Sequence, residues 1–239
     1  WNDWLRDKYK TDEALKAAWR VSPPEKPLGD IAYKPGTQAW DDMRTFDADA
    51  FRNVIANRWI EANREGVRAG DPDMPVTVGF LQEYFALNKL MCMGSLDFAN
   101  MHSYTGIDTL RADLKLFDRR FEGKSLSLGE FGSVVDHNKR NDGLDSDSQD
   151  WNRFLQTGHY VFGEGGSFLA NWCWKDMDDV VFPWGINYPN EGPRKDILKA
   201  YRNQSLLFRQ VRPVYKSPDT FLVVPTNMLL GGQSNGSIK

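Results

Sequence analysis

The sequence predicts an α/β fold, with the parallel βα units of a TIM (β/α)8 barrel in a number that makes only half of one. Three observations lead there. Short apolar runs alternate with amphipathic helical stretches along most of the chain. The runs recur every few tens of residues, the length of one strand-helix repeat. Chemistry-bearing residues cluster at the ends of those runs, where a parallel barrel gathers its catalytic side chains. One is a carboxylate: in Ser125-Leu126-Ser127-Leu128-Gly129-Glu130-Phe131-Gly132, Glu130 closes an apolar β-pattern two residues before a glycine. A charge there is costly to bury without a job.

The elements follow in order. Trp4, Leu5, Tyr9, Leu15, Ala18 and Trp19 mark one or two amphipathic helical turns, with Thr11 as a helix start. A Pro-rich loop covers 22–35. A long helix is expected over about 47–68, with Phe51, Val54, Ile55, Trp59 and Ile60 near helical spacing. After the turn at 71–75, the first strand is placed at Val76-Thr77-Val78-Gly79-Phe80, then a helix at 84–93. The second strand is 96–104, ending in Met101-His102-Ser103-Tyr104; Leu110, Leu114, Leu116 and Phe117 define a helix over 109–121. The third strand is 125–131, followed by a polar loop at 136–150 and a helix at 151–162. The fourth strand, 166–174, ends in Asn171-Trp172-Cys173-Trp174. A long loop carries Phe182-Pro183-Trp184-Gly185, and a helix over 195–209 closes the unit. A last strand at 220–224 opens another region, which sets expected domains at 1–212 and 213–239.

Composition narrows the function. The net charge of −3 gives no basic field for nucleic acid, and no run approaches the roughly 18 apolar residues of a membrane helix. The two cysteines, Cys92 and Cys173, have no metal spacing and no disulfide framework; no cofactor or metal is called for. Nine Trp suggest flat apolar ligands such as sugar rings, or else a large aromatic core. The chain begins at Trp1 and ends in a polar tail, 231–239, so both ends read as cut from something longer. Secretion or a periplasmic site is favoured over the cytoplasm.

On a strand, residues two apart share a face. His102 and Tyr104 therefore point one way at the end of the second strand, and Trp172 and Trp174 do so on the fourth, with Glu130 between. A carboxylate to attack an anomeric carbon, a phenol to orient it and an aromatic floor are what glycoside hydrolysis requires. Singly, each has a plainer reading: a solvated rim Glu, a core His and Tyr, a core Trp pair. Glu83 is a helix-start residue that could lie near the mouth, and Glu164 falls at the opposite end of the barrel. Asp176, Asp178 and Asp179 read as a solvated acidic loop, with cation or sugar binding as the other possibility; Asn203-Gln204-Ser205 and Asn235-Gly236-Ser237 match the glycosylation sequon.

The order of these motifs resembles the second half of a retaining glycoside hydrolase of clan A, the (β/α)8 group that includes family 5 cellulases and mannanases and many β-galactosidases. Met101-His102-Ser103-Tyr104 resembles the end of the sixth strand, Leu128-Gly129-Glu130-Phe131-Gly132 the seventh, and Ala170-Asn171-Trp172-Cys173-Trp174 the eighth; the stretch from Trp4-Leu5 to Ala18-Trp19 resembles the segment after the fourth. The resemblance covers about residues 1–210 and implies strands five to eight. It implies Glu130 as nucleophile, Tyr104 as its hydrogen-bonding tyrosine, His102 as the neighbouring histidine and Trp172 as the floor under the sugar, with Trp174 and Trp184 as further substrate walls. The family's acid/base, a Glu after Asn at the end of the fourth strand, has no counterpart near the start, and Asn190-Glu191 falls after the eighth strand. The family's early-strand arginine is also absent. The expectation is thus a retaining β-glycosidase whose other half-barrel comes from the same polypeptide or a partner chain, with β-linked oligo- or polysaccharide as substrate. By itself the segment is expected to be inactive. The alternative is a non-catalytic carbohydrate-binding barrel or an inactive fragment.

Overall fold

The computed structural model describes residues 1–34, 42–79, 92, 94–104, 106–132, 144–176, 185–188, 192–193, 195–211, 214, 219–221 and 223. The chain forms two compact units: one of Trp1–Val76, Glu83–Leu96 and Thr220–Lys239, the other of Thr77–Gln82 and Asp97–Asp219.

The regular elements described in the first unit are helices. Helices α1 (Asn2–Tyr9) and α2 (Asp12–Ala18) occupy the expected amphipathic stretch, and Thr11 caps α2 by accepting the Ala14 N–H at 3.2 Å. Helix α3 runs Met43–Gly70, longer at both ends than expected, and Asp42 sets its earlier start by accepting the Arg44 N–H. Leu5, Leu15, Trp19 and Ile31 form a buried core packed by Trp1, Trp4, Tyr9 and Leu28. Asp47, fully buried on α3, accepts from Tyr9 Oη at 2.6 Å, from Trp19 Nε1 at 2.7 Å and from Lys8 Nζ. A buried carboxylate is tolerated here because three donors surround it. Several of the Trp thus serve as core, one of the two readings open from composition.

The second unit holds a three-stranded parallel sheet in the order β1 (Phe98–His102), β2 (Ser125–Phe131), β3 (Gly166–Asn171). The strands are joined through α4 (Ile107–Arg120) and α5 (Leu144–Gly163); α6 (Lys195–Gln210) follows. Leu110, Leu114 and Phe117 give α4 its buried stripe. Helix α5 packs on β3 and α6, and its Phe154 ring meets Phe131 of β2 at 4.9 Å and Tyr201 of α6 at 5.5 Å. In β2, Leu126, Ser127 and Leu128 are all buried, as suits a parallel strand covered on both faces.

Several expectations are corrected. Residues 76–79 are not a strand; Thr77 reaches β1 through its hydroxyl, which donates to the Phe98 carbonyl at 2.8 Å in place of a ladder bond. Phe80 and, apart from helical Cys92, the helix expected at 84–93 are outside or barely within the described residues. Helix α5 starts at Leu144, inside the stretch expected as loop. Strand β3 stops at Asn171, so Trp172 and Trp174 lie past its end. There the Cys173 and Trp174 carbonyls accept the N–H groups of Ile186 and Asn187, drawing the chain off the ladder. Asn187–Tyr188 (β4) pairs antiparallel with Gly192–Pro193 (β5). Residues 220, 221 and 223 show no strand; 222 and 224 are outside the described set. Among the described residues no helix is long and apolar enough to cross a membrane.

Candidate active site

The C-terminal ends of β1 and β2 bring three of the expected residues together. Tyr104 Oη donates to Glu130 Oε1 at 2.6 Å, and His102 Nδ1 lies 3.1 Å from Glu130 Oε2. The histidine contact has ion-pair distance without an aligned N–H. Both side chains are mostly buried, at 11% and 13% exposure. The Tyr104 phenol is held well above its ordinary value of 10.0, first by burial, then by the hydrogen bond to Glu130 and its charge. It therefore remains a proton donor to the carboxylate at any ordinary pH. Tyr104 lies two residues past the end of β1, and its hydroxyl still reaches the carboxylate.

A β-bulge puts Glu130 there, a feature absent from the sequence reading. Phe98 to Met101 pair residue for residue with Ser125 to Leu128, and then His102 pairs with Glu130, skipping Gly129. On the other edge, Leu128 pairs with Leu169 and Phe131 with Asn171, so β2 has one residue more than β3 over that step. One extra residue inverts the alternation of everything beyond it. Regular pleating would set Glu130 on the face of Leu126 and Leu128. Instead it joins the face of Ser127, Asn100 and His102, and Phe131 turns to the α5 side against Phe154.

Two glycines make room. A methyl on Gly129 would sit 2.4 Å from Asn100 Oδ1, and one on Gly79 would sit 2.6 Å from His102 Nε2. Asn100, 7% exposed, accepts from Ser127 Oγ at 2.9 Å. Gly79, Asn100, Ser127 and Gly129 were thus missed as site-building residues; Gly129 directly before the carboxylate was the available signal.

Trp172 continues from β3 with its N–H on the Phe131 carbonyl at 2.7 Å, one residue from Glu130, and its side chain is 41% exposed. Trp174 is 69% exposed; its carbonyl accepts from both the backbone N–H and Nδ2 of Asn187, at 3.0 and 2.8 Å. Both indoles are therefore presented from anchored backbone. Trp184, Glu83, Asn190-Glu191, Asp178, Asp179 and Asn235 lie outside the described residues. Asp176 is corrected: it is buried, and its Oδ1 accepts the Gly185 N–H at 2.5 Å, so it braces this loop rather than facing water. Glu164 lies before β3, at the opposite end of the sheet from Glu130, 3.9 Å from Lys115. The Asn203 sequon falls in α6, where Gln204 is buried and bonded to the Phe154 and Leu155 carbonyls. Among the described residues no cluster of His, Cys, Asp and Glu could hold a metal. A cavity of about 510 Å³ lined by Val161, Phe162, Phe168 and Phe208 lies by the N-terminal half of β3, away from Glu130.

No protein-family model matches the chain, and no curated protein matches it. Solved structures do. A β-galactosidase from the Antarctic haloarchaeon Halorubrum lacusprofundi superposes with a TM-score of 0.69 at 16% identity, over 88% of this chain and 35% of that one. A cold-adapted β-galactosidase from Rahnella sp. R3 gives 0.66 at 18% identity, over 87% and 33%. An exo-β-agarase gives 0.64 at 17% identity, over 87% and 30%. The chain spans about a third of the length of these proteins. At such identities the likeness establishes a shared fold with part of each glycoside hydrolase.

Proposed function

We propose that this chain supplies the nucleophile side of a retaining β-glycosidase, with β1, β2 and β3 as strands six to eight of a (β/α)8 barrel whose remainder lies elsewhere in the polypeptide or on a partner chain. The observation that carries the reading is the convergence of Tyr104 and His102 on the Glu130 carboxylate at the strand ends. The fold shared with β-galactosidases and a β-agarase supports it, and points to β-linked sugars as the substrate class.

In this reading Glu130 attacks the anomeric carbon while a second carboxyl protonates the departing oxygen. A glycosyl ester forms on Glu130, and the leaving alcohol departs. Water then attacks the anomeric carbon, gives its proton to the second carboxylate and releases the Glu130 carboxylate, so two inversions retain the anomeric configuration. Tyr104 holds Glu130 in line for attack and stabilises it again as it leaves. His102 lies against its other oxygen. Trp172 offers the apolar face for the sugar, and Trp174 a second surface farther out. Retention needs the second carboxyl about 5 Å from Glu130; the proposal places it on the remainder outside residues 1–239.

The test is Glu130→Gln in the full-length polypeptide, assayed on an aryl β-D-galactoside and on agarose oligosaccharides. Loss of turnover with an unchanged melting temperature and retained sugar binding supports the reading. Full activity in the variant refutes it. A wild-type protein that binds these sugars and hydrolyses none is a carbohydrate-binding barrel instead.

A further inference from the structure

We infer that Asn100 is a positioning residue: it latches the bulge at Gly129 and so keeps Glu130 on the face it shares with His102 and Tyr104. The latch itself stands on packing alone; its effect on rate rests on the proposed role of Glu130.

The register gives the reason. Beyond Leu128, strand β2 has two ways to continue. Without the bulge, Glu130 turns to the face of Leu126 and Leu128, which are buried to 2% and 0% exposure. That placement would put a carboxylate among apolar side chains and take Phe131 away from Phe154. With the bulge, Gly129 is left opposite no β1 residue, and a bare Cα faces the interior. Asn100 fills that space: its Oδ1 lies where a side chain on Gly129 would begin. Ser127 fixes the amide from the other side, its hydroxyl shared between Asn100 Oδ1 at 2.9 Å and the Ala99 carbonyl at 3.0 Å. Asn100 is also two residues before His102 on the same face of β1, so the same side chain that fills the space at Gly129 precedes His102 on that face.

The two residues are therefore coupled by volume. Removing Asn100 empties the space above Gly129, and adding a methyl at Gly129 collides with Asn100. Each change alone displaces Glu130, and the two together partly compensate, because the new methyl occupies the vacated space.

The experiment uses the full-length polypeptide with Asn100→Ala, Gly129→Ala, the double variant, the milder Ser127→Ala and Tyr104→Phe as a reference. The first readout is tyrosine ionisation by alkaline difference absorbance, which needs no substrate. In the wild type, Tyr104 stays protonated against Glu130 well above the ordinary tyrosine range. Asn100→Ala is expected to lower the pH at which that tyrosine ionises, a change absent when Tyr104→Phe is added; Ser127→Ala lowers it less. The second readout is turnover of p-nitrophenyl β-D-galactoside, where Asn100→Ala lowers kcat by about 10- to 100-fold with little change in KM, as for an ångström-scale misplacement. The double variant is expected to outperform Gly129→Ala alone. An unmoved Tyr104 titration in both Asn100→Ala and Ser127→Ala overturns the latch, as does a double variant whose losses simply multiply. A shifted titration in a protein that cleaves no aryl β-glycoside keeps the latch and refutes the glycosidase reading.

Discussion

Tyr104→Phe isolates the contact on which the proposed chemistry most depends. The change removes one hydroxyl and keeps the ring. What is lost is a single O–H···O⁻ bond of 2.6 Å to Glu130. Hydrogen bonds to a charged partner contribute about 1.5–3 kcal/mol, and each 1.36 kcal/mol is tenfold in rate. If all of it is felt in a transition state, the loss is about tenfold to a hundredfold. The bond is strongest when Glu130 is a free carboxylate and weakest when it is an ester. Breakdown of the glycosyl-enzyme regenerates the carboxylate, so deglycosylation loses stabilisation that the ester never had. Steady-state kinetics on a substrate with an activated phenol leaving group should show kcat and KM falling together, with a pre-steady-state burst of phenol. A variant within twofold of the wild type in both constants refutes this reasoning, because a bond of that length cannot then be orienting the nucleophile.

Other outcomes follow from the same geometry. Asp47→Ala leaves Tyr9, Trp19 and Lys8 without their shared acceptor and should cost about 3–5 kcal/mol in urea unfolding; a loss below 1 kcal/mol would show the cluster to be solvated. Tyr9 and Tyr104 both hold their protons above the ordinary 10.0, chiefly through burial. Below pH 10 native and unfolded chains are equally protonated at these sites. Above it the unfolded chain loses the protons first, so stability falls as pH rises. Equilibrium unfolding of Tyr104→Phe should depend less steeply on pH there, and an equal slope counts against the raised value. Burial pushes the Cys92 thiol up to about 12, while Cys173 is half-buried in the loop after β3. Native-state maleimide labelling at neutral pH should therefore modify Cys173 and spare Cys92, as read by peptide mass. Trp172→Ala should raise KM for an aryl β-glycoside more than it lowers kcat, if the indole is a sugar platform.

Periodicity made the helices and sheet strands legible. The stripe Leu110, Leu114, Phe117 and the apolar run of β2 are local patterns, and the structure places α4 and β2 at or within two residues of the expected bounds. The proximity of three candidate residues was legible, but the way the sheet brings them together was not. His102, Tyr104 and Glu130 are close in space as expected, yet regular alternation along β2 would have hidden Glu130 from His102. The bulge depends on how two neighbouring strands pair, which no single stretch encodes; only the glycine at 129 marked it. Asn100 and Ser127 read as unremarkable strand polars because their partner is across the sheet. The ends of the strands were overextended for a similar reason. Trp172 to Trp174 are strand-like in composition, but their carbonyls are taken by Ile186 and Asn187, a long-range pairing. Likewise 136–150 was polar enough to read as loop, and helix α5 begins within it, at Leu144, all the same.

The most direct measurement is covalent trapping. The full-length polypeptide is incubated with an activated 2-deoxy-2-fluoro-β-D-galactoside, which slows breakdown of a glycosyl-enzyme ester, and the digest is read by mass spectrometry. The account expects one added fluorosugar on the peptide containing Glu130, released when an acceptor alcohol is supplied. A sugar found on a different carboxylate, or turnover of the parent galactoside that no fluorosugar inhibits, would contradict it.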